Sequence, residues 1–343
     1  MPAFETITTE RLVIRPTTFA DAEALWERRN DPEAARYQNW TLPFPRERAD
    51  AMCRAAESVD GPENDTWWMA AVCDRATGDV IGDLALQLTF DERSAEIGYT
   101  FARRVWGRGS ATEAADALVG WLFDSVGVSR VHAQTHPENL ASVVVLERIG
   151  LRFEGHTRNS YWVGDEMSDD WIFGMTAHDR SVWTSRPRTP PARVELVEIT
   201  SQISREVERL ETHKSQERLV APMSGSFADA LFPGQHHGAQ VVPWLRAVVA
   251  DDAVVGFVMV ARTDDTHHAP YLWRLLIDRL HQRRGIGSRV LDLVAEQARA
   301  WGADRVEVSW VPGPGSPAPL YLRHGFVPTG EVEDGEVVAS LAV

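Results

Sequence analysis

The sequence predicts an α/β protein built as two tandem units, each a mixed, twisted sheet flanked by helices. Three observations lead there. A chain of 343 residues exceeds the size at which one core usually stops growing. A Pro/Arg-rich stretch, TSRPRTPPAR at 184–193, separates two patterned halves as a semi-rigid, solvated linker would. The halves also repeat: GVSRVHAQT lines up with GADRVEVSW, VLERIGL with LYLRHGF, and DVIGDLAL with AVVGFVMV. The expected boundaries are 1–184, a linker at 185–193, and 194–343.

Each half opens on an alternating strand, TERLVIRP or RVELVEI. Apolar residues at helical spacing follow: Phe19, Ala22, Leu25 and Trp26 in one half, and Ile203, Val207 and Leu210 in the other. β-Branched runs around TGDVIG and DDAVVG predict a hairpin, and a third long strand then enters a glycine loop. A helix of about four turns, a strand, another helix and a closing hairpin complete each unit. This order implies α/β layers rather than a bundle or a barrel. Gly109, Gly127 and Gly150 stand 18 and 23 residues apart, against 15 and 23 for Gly287, Gly302 and Gly325, which puts the difference in the helix.

Composition narrows the function classes. The chain is 44% hydrophobic and 25% charged, as a soluble globular protein is. Its longest apolar run is broken by Asp251 and Asp252, short of a spanning helix, and the first thirty residues lack the apolar core of a secretory signal. A cytoplasmic protein without a membrane partner is expected. Cys53 and Cys73 have no metal or redox spacing and read as reduced thiols. A formal charge of −15 argues against a nucleic-acid partner and suits either a cationic small molecule or simple solubility. The doublets His236-His237 and His267-His268 lack a third ligand, so they read as loop histidines and no metal is expected.

The chemistry is carried by RRVWGRGSATEA at 103–114 and HQRRGIGSRVL at 281–291, each with Gly-x-Gly between a strand and a helix. Neither has the Lys-Ser/Thr of a triphosphate loop, nor the third glycine and the acidic residue of a dinucleotide fold. What remains is a turn that can aim successive N–H groups at an anion on the positive end of a helix. Arg104, Arg108, Arg283 and Arg284 would add charge.

These residues resemble the GNAT superfamily of acyl-CoA-dependent N-acetyltransferases, whose loop reads Gln/Arg-x-x-Gly-x-Gly/Ala. Here it reads Arg104-Val-Trp-Gly107-Arg-Gly109 and Gln282-Arg-Arg-Gly285-Ile-Gly287. The resemblance covers nearly the whole chain. Through TERLVIRP, AEIGYTF, WGRGSATEA and PENLASVVVLERIGL the first half is similar to the branch that acetylates ribosomal-protein N-termini and various small amines. Through SQERLVAP, AVVGFVMV, LWRLLID, QRRGIGSRVL and LYLRHGFVPTGE the second is similar to polyamine (spermine/spermidine) acetyltransferases.

The resemblance implies acetyl-CoA as co-substrate. Its diphosphate would lie on Arg104, Trp106, Gly107, Arg108, Gly109, Ser110 and Ala111, and on Gln282, Arg283, Arg284, Gly285, Ile286, Gly287 and Ser288. A main-chain N–H at a strand bulge near Phe101 or Ile277 would polarise the thioester, and Asn139 would touch the pantetheine arm or the acceptor. Tyr321 matches the family's proton donor to the leaving thiolate, or is an ordinary core tyrosine. The aligned residue in the first half is Leu146, with Ser142 as substitute.

An alkylamine is neutral in only about one molecule in a thousand at pH 7, so a proton must leave it. Glu96 is either a water-linked base for that step or a paired strand carboxylate; LWRLLID offers none. The acidic hairpins 164–170 and 330–336 would attract a polycation, though acidic turns are common, and Trp67-Trp68, Trp106 and Trp273 are pocket or core residues. Leu151 replaces the usual phenylalanine, and GPGSPAP the usual asparagine. The expected acceptor is a primary amine of a small cationic molecule, a polyamine or an amino-bearing antibiotic or metabolite. The alternatives are a protein N-terminus, or one catalytic unit beside a CoA-binding or structural one. A monomer or homodimer is expected.

Overall fold

The structure is a computed structural model and describes residues 3–163, 165–236, 239–263 and 269–343. The chain divides into two compact units, Met1–Thr184 and Ser185–Val343, each an α/β unit with its own mixed sheet. Among the described residues no helix is long and apolar enough to cross a membrane.

In unit 1, β1 (Ile7–Thr8) and β2 (Leu12–Pro16) precede the helices α1 (Ala22–Arg29), α2 (Pro32–Ala35) and α3 (Arg46–Glu57). The strands β3 (Trp67–Asp74), β4 (Val80–Thr89) and β5 (Ser94–Phe101) then lead to α4 (Ser110–Trp121) and β6 (Arg130–Thr135). Next come α5 (Leu140–Arg148), the hairpin β7 (Arg152–Val163) and β8 (Glu166–Thr176), and α6 (Ala177–Ser185). The sheet order is β1-β2-β3-β4-β5-β6-β8-β7, antiparallel throughout except for β5–β6. Residues 68–73 of β3 are buried in an unbroken run, the signature of a strand covered on both faces. α1 and α4 both pack on β4. Ala114, Ala115, Leu118 and Val119 form the buried stripe of α4, and the two alanines let that helix lie close to the sheet.

Unit 2 repeats the plan. It runs through β9 (Val194–Val197), α7 (Ser204–Glu208), α8 (Met223–Leu231), β10 (Gln235–His236), β11 (Ala239–Ala250), β12 (Ala253–Thr263) and β13 (Tyr271–Ile277). The four-turn α9 (Ile286–Ala300), β14 (Arg305–Trp310), α10 (Ala318–His324), β15 (Val327–Glu333) and β16 (Glu336–Ala342) complete it. The order is β10-β11-β12-β13-β14-β16-β15, with β9 also on β11 and β13–β14 the parallel pair. Ile286, Val290, Leu291, Val294 and Ala298 bury one face of α9 against this sheet.

The parallel pair in each unit is short. β5 and β6 pair only over Ser94↔Arg130, Ala95↔Val131 and Glu96↔His132, and β13 and β14 only over Tyr271↔Glu307 and Leu272↔Val308. Beyond those residues the strands part, which leaves a wedge beside the start of the following helix.

Candidate active site

Each glycine loop ends on a left-handed glycine that caps the helix: Gly109 (φ 81°) for α4 and Gly285 (φ 78°) for α9. Upstream, Gly107 (φ 73°) has its counterpart in Arg283 (φ 64°). Trp106 Nε1 donates to the Phe101 carbonyl at 2.8 Å, and Gln282 Nε2 donates to the Ile277 carbonyl at 3.0 Å. These matches correct the alignment read from sequence by two residues. Gly109 pairs with Gly285, Ala111 with Gly287, and Trp106 stands where unit 2 has glutamine. Arg283 takes the left-handed conformation without being glycine, so counting glycines misregisters the loops. In the corrected register Gly109 to Gly127 spans 18 residues and Gly285 to Gly302 spans 17. Gly287 lies inside α9, where a Cβ would come 3.3 Å from Leu320 Cδ2.

Among the described residues the amides of Ser110, Ala111 and Thr112, and those of Ile286, Gly287 and Ser288, have no acceptor. The first helical bonds are Glu113 N–H to Gly109 O (3.0 Å) and Arg289 N–H to Gly285 O (3.2 Å). Each helix start is therefore a row of free N–H groups at the positive end of the helix dipole, suited to a diphosphate. Glu113 would oppose an anion there if it were free. Its carboxylate instead accepts from Thr9 Oγ1 (2.6 Å), the Arg11 N–H (2.9 Å) and Arg11 Nε (2.6 Å). Burial pushes Glu113 up, and those bonds outweigh it and hold the carboxyl below its ordinary range.

Arg104, Arg108 and Arg283 are exposed and make no ion pair among the described residues, and Arg104 only reaches the Val80 carbonyl at 3.4 Å. Arg284 departs from the expectation. It is 5% exposed, its Nε donates to the Thr189 carbonyl at 2.8 Å, and its Nη2 lies 3.7 Å from Asp251. Its guanidinium fixes the Pro/Arg-rich segment to the loop instead of adding free charge. The bulge expected near Phe101 or Ile277 is absent from both positions. Pairing is regular at Gly82↔Phe101 and Gly256↔Ile277. The extra residue of β13 is Trp273, between the pairs Val260↔Leu272 and Met259↔Arg274, and β5 pairs with β4 without a shift.

Where β5 and β6 part, unit 1 holds a cavity of about 800 Å³ lined by Glu96, Asn139, Ser142, Tyr161 and Asp170. Burial raises the Glu96 carboxyl, and the charge of Asp170 raises it further. Burial also raises Asp170, which is 3% exposed, against a 3.2 Å hydrogen bond from Ser160 Oγ. Asn139 caps α5: its Oδ1 accepts the Ser142 N–H at 3.2 Å, which leaves its amide NH2 for a ligand. The half-buried Tyr99 donates its hydroxyl to the Ser142 carbonyl at 3.0 Å and fixes that first turn. Trp67 and Trp68 also line the cavity, whereas Trp106 is on the loop.

In unit 2, Tyr321 is 7% exposed, stacks on Trp310 (centroids 5.7 Å apart) and meets Phe326 edge-on. Its hydroxyl has no hydrogen-bond partner among the described residues. Burial, then Tyr271 and Glu336, push the phenol up. Phe326 N–H bonds to the Tyr321 carbonyl as Leu151 N–H does to that of Leu146, which places these two residues in equivalent positions. At the place of Glu96 in the parallel pair stands Tyr271, whose hydroxyl lies 2.5 Å from Ser309 Oγ, and Ser309 in turn donates to Glu336. On the closing hairpin Glu336 occupies the register position of Asp170. This chain escaped the sequence reading because the bulge at Trp273 hides the correspondence. Cys53 and Cys73 are buried and unpaired; burial raises both thiols, Cys53 to about 11. Among the described residues no three His, Cys, Asp or Glu side chains are grouped to hold a metal. His237, His267 and His268 lie outside the described residues, as does the side chain of His236.

Each unit has a splayed parallel pair and a helix start whose free amides suit a diphosphate. Comparison with known proteins gives the class its name. Residues 11–152 match the acetyltransferase (GNAT) domain and residues 207–326 match the acetyltransferase (GNAT) family. An uncharacterized N-acetyltransferase, p20, of Bacillus licheniformis is 30% identical over 174 residues, 50% of this chain and 96% of that protein. A GNAT-family acetyltransferase structure from Bacillus anthracis is 27% identical, covers 50% of this chain and 98% of its own, and has a TM-score of 0.46. The microcin C7 self-immunity acetyltransferase MccE, solved with acetyl-CoA and AMP, is 16% identical with a TM-score of 0.45, covering 49% of this chain and 93% of its own. The chain belongs to the GNAT family and is an acetyl-CoA-dependent acyltransferase with two tandem GNAT domains.

Proposed function

We propose that the chain moves acetyl from acetyl-CoA to a primary amine and that unit 1 carries out this transfer. The observation that carries the reading is Glu96 beside Asp170 on the wall of the cavity where β5 and β6 part. Glu96, directly or through water, takes the proton of the bound ammonium. The nitrogen then attacks the thioester carbonyl; the C–N bond forms, the C–S bond breaks, and the thiolate leaves. Ser142, whose hydroxyl has no partner among the described residues, is the proton donor we assign to it, and the second proton lost by the acylated nitrogen restores the serine hydroxyl. Arg104, Arg108 and the amides from Gly109 to Thr112 hold the diphosphate.

In unit 2 the same reading makes α9 a second acetyl-CoA site, held by Arg283 and the amides from Gly285 to Ser288. Tyr321 protonates the thiolate there, and Glu336 takes the amine's proton through Ser309 and Tyr271. The likeness of this unit to polyamine acetyltransferases rests on its sequence motifs. A small cationic amine is the acceptor we favour, because Glu63, Asp83, Glu96 and Asp170 all line the cavity of unit 1. We propose a domain boundary at 184, with residues 185–193 as linker.

The test is CoA release and acetyl-product mass with a panel of amines. Replacing Glu96→Gln is expected to lower kcat by about a hundredfold or more, the usual worth of a general base, with acetyl-CoA affinity kept. Absence of any acetylated amine, or a wild-type rate in that variant, would refute the proposal.

A further inference from the structure

The cavity of unit 1 also holds a charge that amine acetylation does not use. α1 sets Arg28 and Arg29 side by side. Arg28 is occupied: its Nε (3.1 Å) and Nη2 (2.6 Å) both donate to Asp83 Oδ1 in a buried ion pair. Arg29 is 9% exposed, lines the cavity and makes no ion pair among the described residues. Its Nε is buried without an acceptor. The guanidinium carbon lies 4.2 Å from the ring centroid of Trp40 and 5.5 Å from that of Phe44. Arg48, from α3, lines the same cavity with its guanidinium carbon 5.3 Å from the Phe44 ring.

A guanidinium held against aromatic rings keeps its N–H edge for oxygen acceptors, and its planar fork matches the two oxygens of a carboxylate. Burial pulls the Arg29 pKa down, and Asp83 only partly offsets this, so a bound anion would compensate the site. Burial, then Asp170 and Glu96, raise the Tyr161 phenol and Arg29 opposes them; all four residues line the one cavity.

We propose that Arg29, assisted by Arg48, is a carboxylate-binding subsite and that unit 1 acetylates a primary amine bearing a carboxylate, an amino-acid-like zwitterion. This rests on the acceptor site assigned above. The ammonium lies toward Glu96 and Asp170 and the carboxylate on Arg29. A pure polycation would meet the repulsion of two arginines and leave Arg29 unpaired.

The experiment is titration calorimetry on the full chain saturated with CoA, using a panel of L-amino acids, each against its α-carboxamide, with spermidine alongside. At least one amino acid is expected to bind about tenfold or more tightly than its carboxamide. Arg29→Met removes that ratio without weakening the carboxamide, and Arg48→Met reduces it less. Arg29→Lys, which keeps a charge in the core if the methionine variant fails to fold, lowers the ratio because the fork is gone. Equal affinities across every pair, a ratio unchanged in Arg29→Lys or in folded Arg29→Met, or spermidine binding more tightly than every amino acid at a site whose affinity changes in folded Arg29→Met, would overturn the proposal. CoA release with the carboxamides is measured separately. If no amine is acetylated, the transfer reading of unit 1 fails, while the affinity ratios still decide the subsite.

Discussion

The base role proposed for Glu96 requires an ionised carboxylate, and burial with Asp170 beside it raises its pKa. Activity therefore rises with pH as Glu96 loses its proton, and this limb of the kcat/KM profile is expected to vanish in Glu96→Gln. Stability runs the other way. The folded state binds the Glu96 proton more tightly than the unfolded chain, so its contribution falls as pH climbs from 4.5 through the raised value. His213 has the opposite sense: burial, then Arg279, Arg186 and Arg283, lower it from 6.5 to about 4. Unfolding lets it take up a proton, so unit 2 loses on the order of 3 kcal/mol as pH falls from 6.5 to 4. Chemical unfolding of wild type and His213→Gln at pH 7 and pH 4.5 measures this. The wild type is expected to lose more stability between the two pH values than the variant does.

At the scale of elements, the strand–loop–helix unit was legible because its constraints are local. A glycine must cap α4 and α9 at positive φ, and apolar residues recur along one face of each helix. The loop register was not legible, because a left-handed arginine at 283 replaces a glycine. The bulge at Trp273 was equally hidden, since bulges are set by pairing with β12 rather than by residue type. Arg29 escaped for a similar reason: nothing in the pair Arg28-Arg29 tells which one meets Asp83 and which one faces the cavity. Both caps are testable. A valine at Gly109 or Gly285 costs about 1–2 kcal/mol in left-handed backbone. At Gly285 nothing lies within 4 Å of an added Cβ, so the side chain projects into open space at the helix start. Calorimetry is expected to count two acetyl-CoA sites per wild-type chain and one in either variant.

Over the whole molecule, one plan is used twice with different residues at the positions to which we assign proton transfer. Unit 1 has Glu96, Asp170 and Leu146 where unit 2 has Tyr271, Glu336 and Tyr321. The duplication was plain in the sequence from repeated strands and glycines. The division of chemistry was not, because it depends on which side chains share a cavity across strands far apart in the chain. The most direct measurement is acetyl transfer to the acceptor amine, followed as CoA release, in Gly109→Val and Gly285→Val side by side. Gly109→Val is expected to abolish the Glu96-dependent transfer while Gly285→Val leaves it. Transfer that survives in Gly109→Val and disappears in Gly285→Val would contradict the assignment of transfer to unit 1.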